Sequence, residues 1–308
     1  MLPHHGLCRN RQQVAKGAPG CRLAAKIKAV THPVRLIALD IDGTLLDSNF
    51  QISRANQNAL LRARAKGIEI VLVTGRRHMF AMPVADSLGF DLCLISSNGA
   101  MTRRTSGELF HFDLLPAASA AKLIRHMDEF REHAVVTFDR ESKGALVIET
   151  PLKLNQAISR WMEKNAMYIE ELSPLEDSLV TDPIQMMYCG TVSRMAEAQK
   201  HLATAGMEDE ITQLKTEYQH RDLCIIDVLN AGCSKGHALE RWVAHRGLSR
   251  NEVMAIGDNH NDVAMLDFAG FPVIMGNACE ELKQNGWTLT LSNDQDGVAA
   301  ALEQVLGI

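Results

Sequence analysis

The chain has 308 residues, of which 46% are hydrophobic and 22% are charged, and its formal net charge is −5. This acidity argues against a general nucleic-acid-binding protein, and no apolar run approaches the roughly 20 residues that cross a bilayer. The length favours two domains. The seven cysteines are odd in number and form no C-x-x-C pair, which favours a cytoplasmic location over a disulfide framework.

The first 34 residues differ from the rest, because they contain six Lys and Arg residues and no Asp or Glu. Organelle transit peptides have this composition. Three other interpretations compete with a transit peptide, namely a disordered tail, an over-long start-codon assignment and a cloning remnant. Taken together, we favour these three over a transit peptide. We therefore expect residues 1–34 to be a disordered extension that takes no part in the chemistry.

From residue 35 onward, short apolar runs alternate with segments of helical periodicity. Strands are predicted at VRLIAL, IEIVLVT and DLCLIS, and helices at RANQNALLRARAK, which Ser53 can cap, and at HMFAMPVADSL. Near-continuous apolar strands predict a parallel sheet covered on both faces. The same alternation returns near the C-terminus, in SKGHALERWVAHRG, EVMAIGD, NDVAMLDFAG, FPVIMGN and DGVAAALEQVL.

The middle of the chain predicts a different arrangement. After a hairpin around MTRRTSGELFHF, strands such as AVVTFD, IQMMYCG and ITQLKTEY alternate apolar and polar residues, as in an antiparallel sheet with one wet face. We therefore predict an α/β fold. A doubly wound, Rossmann-like parallel-sheet core would occupy residues 35–115 and 221–308, and an inserted α+β cap domain would occupy 116–220.

Four polar clusters end a strand or begin a helix, at the edge of the sheet where ligands bind in α/β folds. They are DIDGT with Asp40 and Asp42, VTGR with Thr74 and Gly75, SKG with Lys235, and GDNHND with Asp258, Asn261 and Asp262. A helix cap or a solvated side chain explains Thr74 or Lys235 taken alone. Two acids spaced as Asp40 and Asp42 need a metal or a shared proton. Together the clusters indicate one site, and oxygen ligands suit Mg²⁺ better than zinc.

These clusters resemble the four motifs of the haloacid dehalogenase-like hydrolase superfamily. The pattern is close to its Cof-type phosphatases, which carry an α/β cap (class IIB) between the second and third motifs. SSNGA at residues 96–100 and MGNA at residues 275–278 are also similar to recurrent stretches of that group. The resemblance covers residues 35–308, and the extension at 1–34 is the departure from it.

The resemblance implies a Mg²⁺-dependent phosphatase that works through an aspartyl-phosphate. Asp40 is expected to be the nucleophile, and Asp42 the general acid and then the general base. Lys235 is the third expected catalytic residue, which offsets negative charge and orients Asp40. The other implied roles are Mg²⁺ binding by Asp40, Asp258 and the Asp42 backbone carbonyl, phosphate binding by Thr74, Gly75, Lys235, Asn98 and Asn261, and orientation of Lys235 or a metal-bound water by Asp262.

Small phosphorylated metabolites, either sugar phosphates or cofactor phosphates, are the expected substrates, with no nucleic-acid or membrane partner. Arg140, Lys143 and Gln185 are candidate substrate contacts in the cap, although each alone is more simply a surface residue. A phosphomutase or phosphotransferase on the same core and a non-catalytic phosphate-binding regulator remain alternatives. A nucleotide-binding dehydrogenase is disfavoured, because no G-x-G-x-x-G follows the first strand.

Overall fold

The computed structural model of the protein describes residues 34–149, 156–218 and 222–308. Within these ranges the strands are β1 (Leu36–Leu39), β2 (Glu69–Val73), β3 (Cys93–Ser96), β4 (Met101–Arg104), β5 (Leu109–Phe112), β6 (Ala134–Thr137), β7 (Leu146–Ile148), β8 (Ile169–Glu171), β9 (Gln185–Gly190), β10 (Ile211–Tyr218), β11 (Leu223–Asn230), β12 (Val253–Gly257), β13 (Phe271–Ile274) and β14 (Thr288–Leu289). The α-helices are α1 (Arg54–Ala65), α2 (His78–Ser87), α3 (Ala117–His126), α4 (Gln156–Asn165), α5 (Val192–Leu202), α6 (Lys235–His245), α7 (Val263–Phe268), α8 (Glu280–Lys283) and α9 (Gly297–Leu306). Apart from Val34, the predicted extension lies outside the described residues.

The first sheet has eight strands in the order β14-β13-β12-β1-β2-β3-β4-β5. The strands from β14 to β3 are parallel, and the β3-β4-β5 end is antiparallel. Strand β1 lies between β2 and β12, so the chain winds outward from β1 in both directions. The predicted doubly wound core is therefore confirmed, and its ligand edge lies at the carboxyl end of β1.

Strand β1 is buried on both faces, because helices cover the sheet on either side. Ile37 and Leu39 pack in one hydrophobic cluster with residues of α1, α2 and α9. Leu36 and Ala38 pack in another with residues of α6 and α7. This two-sided burial explains why the strand sequence is continuously apolar and has no alternation.

The second sheet has six strands in the order β10-β11-β9-β6-β7-β8, all antiparallel except for the β7–β8 pair. Helices α3 and α5 cover one face through a cluster that includes Leu123, Tyr188 and Ala198. The opposite face carries Val135, Leu146 and Met187. The alternation of the strands thus separates a helix-covered face from a face that lines a cavity, described below.

Strand β11 lies just after residue 221, where the second core segment is predicted to begin. Strand β11 pairs with β10 over eight residues and also with β9, so 223–230 belongs to the second sheet. The sequence analysis assigned no strand to LCIIDVLN. Division of the chain into a core and a cap stays a prediction.

No helix in the described part of the chain is long and apolar enough to cross a membrane. The cytoplasmic location and the absence of nucleic-acid partners stay predictions.

Candidate active site

A buried lysine between two buried aspartates forms the centre of the site. Asp40 follows β1, Lys235 begins α6, and Asp262 lies in the turn before α7. Lys235 Nζ donates to Asp40 Oδ1 at 2.5 Å and to Asp262 Oδ1 at 2.6 Å, and all three side chains are almost fully buried. The end of β1, the start of α6 and the turn before α7 therefore meet at one charged cluster.

Burial dominates the protonation of this cluster. It raises the pKa of Asp40 to about 7, and the positive charge of Lys235 only partly offsets this effect. Burial also opposes the charge of Lys235, but the nearby carboxylates of Asp262 and Asp40 outweigh it and raise the Lys235 pKa. Lys235 is therefore a fixed cation, whereas the ionisation of Asp40 depends on nearby positive charge.

The carboxylates of Asp40, Asp258 and Asp262 offer oxygen atoms within 4.8 Å of one another. Asp262 is already engaged, because its Oδ2 accepts the backbone N–H groups of Asp258 and Asn259 at 3.0 Å each and its Oδ1 binds Lys235. Burial raises the pKa of Asp258, and the charges of Asp40 and Asp262 add to this effect. Asp40 and Asp258 therefore form a pair of hard oxygen donors that a divalent cation would stabilise, and their chemistry fits Mg²⁺.

Gly43 allows the first loop to approach Asp258. Its φ is +81°, and a Cβ atom at this position would lie 2.4 Å from Asp258 Oδ2. In the same loop, Thr44 Oγ1 donates to Asp258 Oδ1 at 3.1 Å. The glycine and threonine of DIDGT thus bring the loops after β1 and β12 together.

Asp42 has a partner that the sequence analysis did not identify. Arg76 Nε and Nη2 donate to its two carboxylate oxygens at 2.7 and 2.6 Å. Such a bidentate pair fixes the plane of the carboxylate. The only sequence signal for Arg76 is its position after Thr74 and Gly75 at the ligand edge. The predicted proton-transfer role of Asp42 stays a prediction.

Four predicted phosphate-binding residues come together beside the Asp42–Arg76 pair, namely Thr74, Gly75, Asn98 and Asn261. Thr74 is buried, and its Oγ1 accepts the backbone N–H of Arg76 at 3.1 Å. Asn98 has a positive φ of 55°, and its Oδ1 accepts from Asn261 Nδ2 at 3.0 Å. A Cβ atom at Gly75 would lie 3.0 Å from Asn98 Oδ1, so a small residue is needed there.

The sequence analysis missed Asp227, a buried carboxylate on β11. Its oxygens accept from Gln185 Nε2 at 2.8 Å and from Asn98 Nδ2 at 3.0 Å. Burial raises the Asp227 pKa to about 7, and these two hydrogen bonds only partly oppose the shift. Its sequence signal is an acid within an otherwise apolar run. Through Asn98, this residue of the second sheet is joined to the first.

A cavity of about 460 Å³ lies between the ligand edge of the first sheet and the second sheet. Six residues that the sequence analysis assigned to the site line this cavity, namely Asp40, Asp42, Thr74, Gly75, Asn98 and Asn261. Behind these residues lie Lys235, Asp258 and Asp262. Lys235 hydrogen-bonds Asp40 and Asp262, and the backbone N–H of Asp258 donates to Asp262. Gln185 also lines the cavity and is buried, so its interpretation as a surface residue is wrong, whereas Arg140 and Lys143 are exposed.

Known proteins resemble this chain over most of its length. The family model of the haloacid dehalogenase-like hydrolases matches residues 37–302. Phosphatase YwpJ of Bacillus subtilis is 30% identical over 89% of this chain and 100% of its own length. Pyridoxal phosphate phosphatase YbhA of Escherichia coli is 30% identical over 86% of this chain and 96% of its own. A crystal structure of a haloacid dehalogenase-like hydrolase from Bacteroides thetaiotaomicron matches with a TM-score of 0.72 and 28% identity, over 88% of this chain and 99% of that one.

We expect Lys235→Met to lower the free energy of unfolding by about 3–5 kcal/mol, because it leaves two buried carboxylates without their cation. Urea unfolding at pH 7.5 measures the change. Lys283→Met is the matched control, since Lys283 pairs with the exposed Glu280 at 2.9 Å and should contribute less than about 1 kcal/mol. Equal effects of the two substitutions would contradict the central role of Lys235.

The Asp227 pKa predicts a pH-dependent stability. The pKa of Asp227 is about 7 in the folded protein and about 4 in the unfolded chain. At pH values between these two, the folded state therefore binds one more proton than the unfolded state. The resulting stabilisation is complete below pH 4 and is lost as the pH rises through 7. Relative to Asp227→Asn, the wild type should lose about 2 kcal/mol of unfolding free energy between pH 5 and pH 8.

Urea unfolding of both proteins at three pH values tests this expectation. Asp86→Asn, at an exposed position on α2, should differ from the wild type by the same amount throughout. A difference between wild type and Asp227→Asn that does not change with pH would show that Asp227 titrates normally.

Proposed function

The chain belongs to the haloacid dehalogenase-like hydrolase family and is an enzyme that hydrolyses phosphoric monoesters, and we propose that it does so on small metabolites, with Mg²⁺ and through an aspartyl-phosphate. The observation that carries the proposal is the buried Asp40–Lys235–Asp262 cluster, which holds the Asp40 carboxylate at the floor of the cavity. Asp40 and Asp258 would hold the cation. When bound, Mg²⁺ supplies positive charge that reduces the repulsion between carboxylates and a phosphate dianion.

In the first step, an Asp40 carboxylate oxygen forms a bond to phosphorus while the bond from phosphorus to the substrate alcohol oxygen breaks. Lys235 holds Asp40 Oδ1, so the carboxylate is already oriented before the substrate binds. The backbone at Gly75 and the side chains of Thr74 and Asn98 surround the space for the phosphoryl oxygens. Positioning and charge supply most of the catalysis in this kind of reaction.

Asp42 moves the protons in this proposal. It donates a proton to the departing alkoxide, and it then takes a proton from the water that attacks the aspartyl-phosphate, which releases phosphate and regenerates Asp40. Its pairing with Arg76 must loosen for this exchange. Because Arg76 also lines the cavity, a bound phosphate dianion offers the guanidinium a competing partner.

We further propose that the second sheet and its helices act as the cap, with β11 included. Leu146, Met187 and Ile225 of this sheet line the same cavity as Asp40. An apolar cover of this kind excludes bulk water, which would otherwise weaken every charge interaction below it.

Asp40→Asn tests the nucleophile, since an amide cannot form the acyl phosphate. We expect the release of phosphate from p-nitrophenyl phosphate to fall at least about 1,000-fold. Mass spectrometry of acid-quenched wild type should find one phosphoryl group on the peptide that contains Asp40. The control is Asp86→Asn, which should retain wild-type turnover. Full activity of folded Asp40→Asn protein would eliminate this mechanism.

Chelation tests the metal. Activity should disappear after EDTA treatment and return with Mg²⁺, and Asp258→Asn should need at least about tenfold more Mg²⁺ for half-maximal activity. Mg²⁺ should also raise the melting temperature of the wild type more than that of Asp258→Asn, because a ligand stabilises the state that binds it. Metal-independent activity, or an equal thermal shift in the two proteins, would contradict the assignment.

A further inference from the structure

The turn that follows β3 holds the loop of the proposed phosphate site by its backbone. The N–H of Asn98 donates to the carbonyl oxygen of Thr74 at 3.0 Å. The N–H of Ser97 donates to the carbonyl oxygen of Arg76 at 2.8 Å. Gly75, whose backbone is proposed to hold the phosphoryl group, lies between these two acceptors. The position of the Gly75 backbone therefore depends on the conformation of this turn.

The same turn also lies against the residue that precedes Lys235. A Cβ atom at Gly99 would lie 2.3 Å from the backbone carbonyl oxygen of Ser234, so a glycine is needed for this close approach. Ser234 caps α6, the helix that Lys235 begins. One turn thus contacts both the phosphate loop and the start of α6.

The turn has a backbone conformation that needs support. Ser97, Asn98 and Gly99 follow one another with φ values of 49°, 55° and 107°. Left-handed backbone costs about 1–3 kcal/mol at a residue other than glycine, so it persists where surrounding contacts hold it. The side chain at the centre of the turn, Asn98, is buried and provides two such contacts.

A carboxylate of the second sheet anchors Asn98. Asn98 Nδ2 donates to Asp227 Oδ2 at 3.0 Å, and Asn98 Oδ1 accepts from Asn261 Nδ2 at 3.0 Å. A carboxylate only accepts hydrogen bonds, so Asp227 determines which end of the Asn98 amide faces β11. The other end then faces Asn261 as an acceptor. Asp227 thereby orients a side chain of the first sheet.

Gln185 completes the surroundings of Asp227. Its Nε2 donates to Asp227 Oδ1 at 2.8 Å, whereas its buried Oε1 has no hydrogen-bond partner among the described residues. Rotation of the Gln185 amide by 180° would present Oε1 to position 227 instead of Nε2. In Asp227→Asn, the new side chain would therefore keep an acceptor for Asn98 and donate to Gln185.

We propose that Asp227 is a positioning residue for phosphate binding, which acts through Asn98 on the turn that holds the phosphate loop. The inference rests on the proposed function for the identity of the phosphate site, and on the contact between Asp227 and Asn98 for its dependence on the second sheet. The phosphate site of the first sheet is thus complete only when the second sheet supplies this acceptor.

Inorganic phosphate is the probe, because it is the product of the reaction and lacks the alcohol part of a substrate. Its competitive inhibition constant against p-nitrophenyl phosphate reports on the phosphate site alone. Asp227→Leu, which removes the acceptor at similar volume, should raise this constant about tenfold. An unchanged constant would overturn the inference, whether KM rises, as for a residue that contacts the alcohol part, or only the melting temperature falls.

A conservative variant and a matched control define the role of the acceptor. Asp227→Asn should stay within about threefold of the wild type, because it retains the acceptor for Asn98. Asp139→Asn also removes a carboxylate that joins the two sheets, since Asp139 Oδ2 accepts from Arg103 Nη2 at 3.0 Å. It should leave the inhibition constant unchanged. Equal losses in Asp139→Asn and Asp227→Leu would overturn the specific role of Asp227.

A double-mutant cycle tests whether Asp227 acts through Asn98. Asn98→Gly removes the anchored side chain and tolerates the positive φ, and it should weaken phosphate inhibition at least as much as Asp227→Leu. Adding Asp227→Leu to Asn98→Gly should then change the constant by less than about twofold. Effects that multiply in the double variant would overturn the proposed route.

The wild type separates this inference from the proposed function. Equal phosphate inhibition of the wild type and Asp227→Leu would overturn the inference and leave the proposed function intact. A wild type that hydrolyses the ester without competitive inhibition by phosphate would contradict the proposed phosphate site, and the inference with it.

Discussion

The pairing of Lys235 with Asp40 and Asp262 is the interaction on which the rest of the site depends. Three charged groups are removed from water at once, which is tolerable only because each hydrogen-bonds an opposite charge. The pairing also fixes the fold locally, since it joins the end of β1, the start of α6 and the turn before α7. The same contacts that orient Asp40 therefore hold three segments of the chain together.

Much of this site could be predicted from the sequence, because parallel strands deliver their carboxyl ends to one edge. The apolar run before Asp40 and the one before Asp258 could only be buried strands, and two such strands in one sheet bring their acids together. The pairing of Asp42 with Arg76 could not be predicted. A loop arginine has many possible partners, and the choice among them is made by loop geometry that no residue pattern specifies.

The second sheet was harder to predict for a related reason. Strand β11 is an apolar run interrupted by Asp227. Such a run just before a helix can belong to either sheet, and only its pairing with β9 and β10 decides. Gln185 shows the same problem in one residue. A glutamine at a strand end is ordinarily a surface residue, and its burial follows from how the second sheet covers the cavity, which is a property of tertiary packing.

The position of β1 at the centre of a sheet that is split in sequence affects how the protein forms during synthesis. One neighbour, β2, follows within about 35 residues, but Leu36 pairs on the other side with Val253. Until β12 leaves the ribosome, one edge of β1 has no partner, and such an edge is prone to pair with other chains. The second sheet has no such requirement, because all of its strands lie between β5 and α6. A chain whose synthesis stalls before β12 would thus have a complete second sheet, whereas β1 of the first sheet would keep an unpaired, aggregation-prone edge.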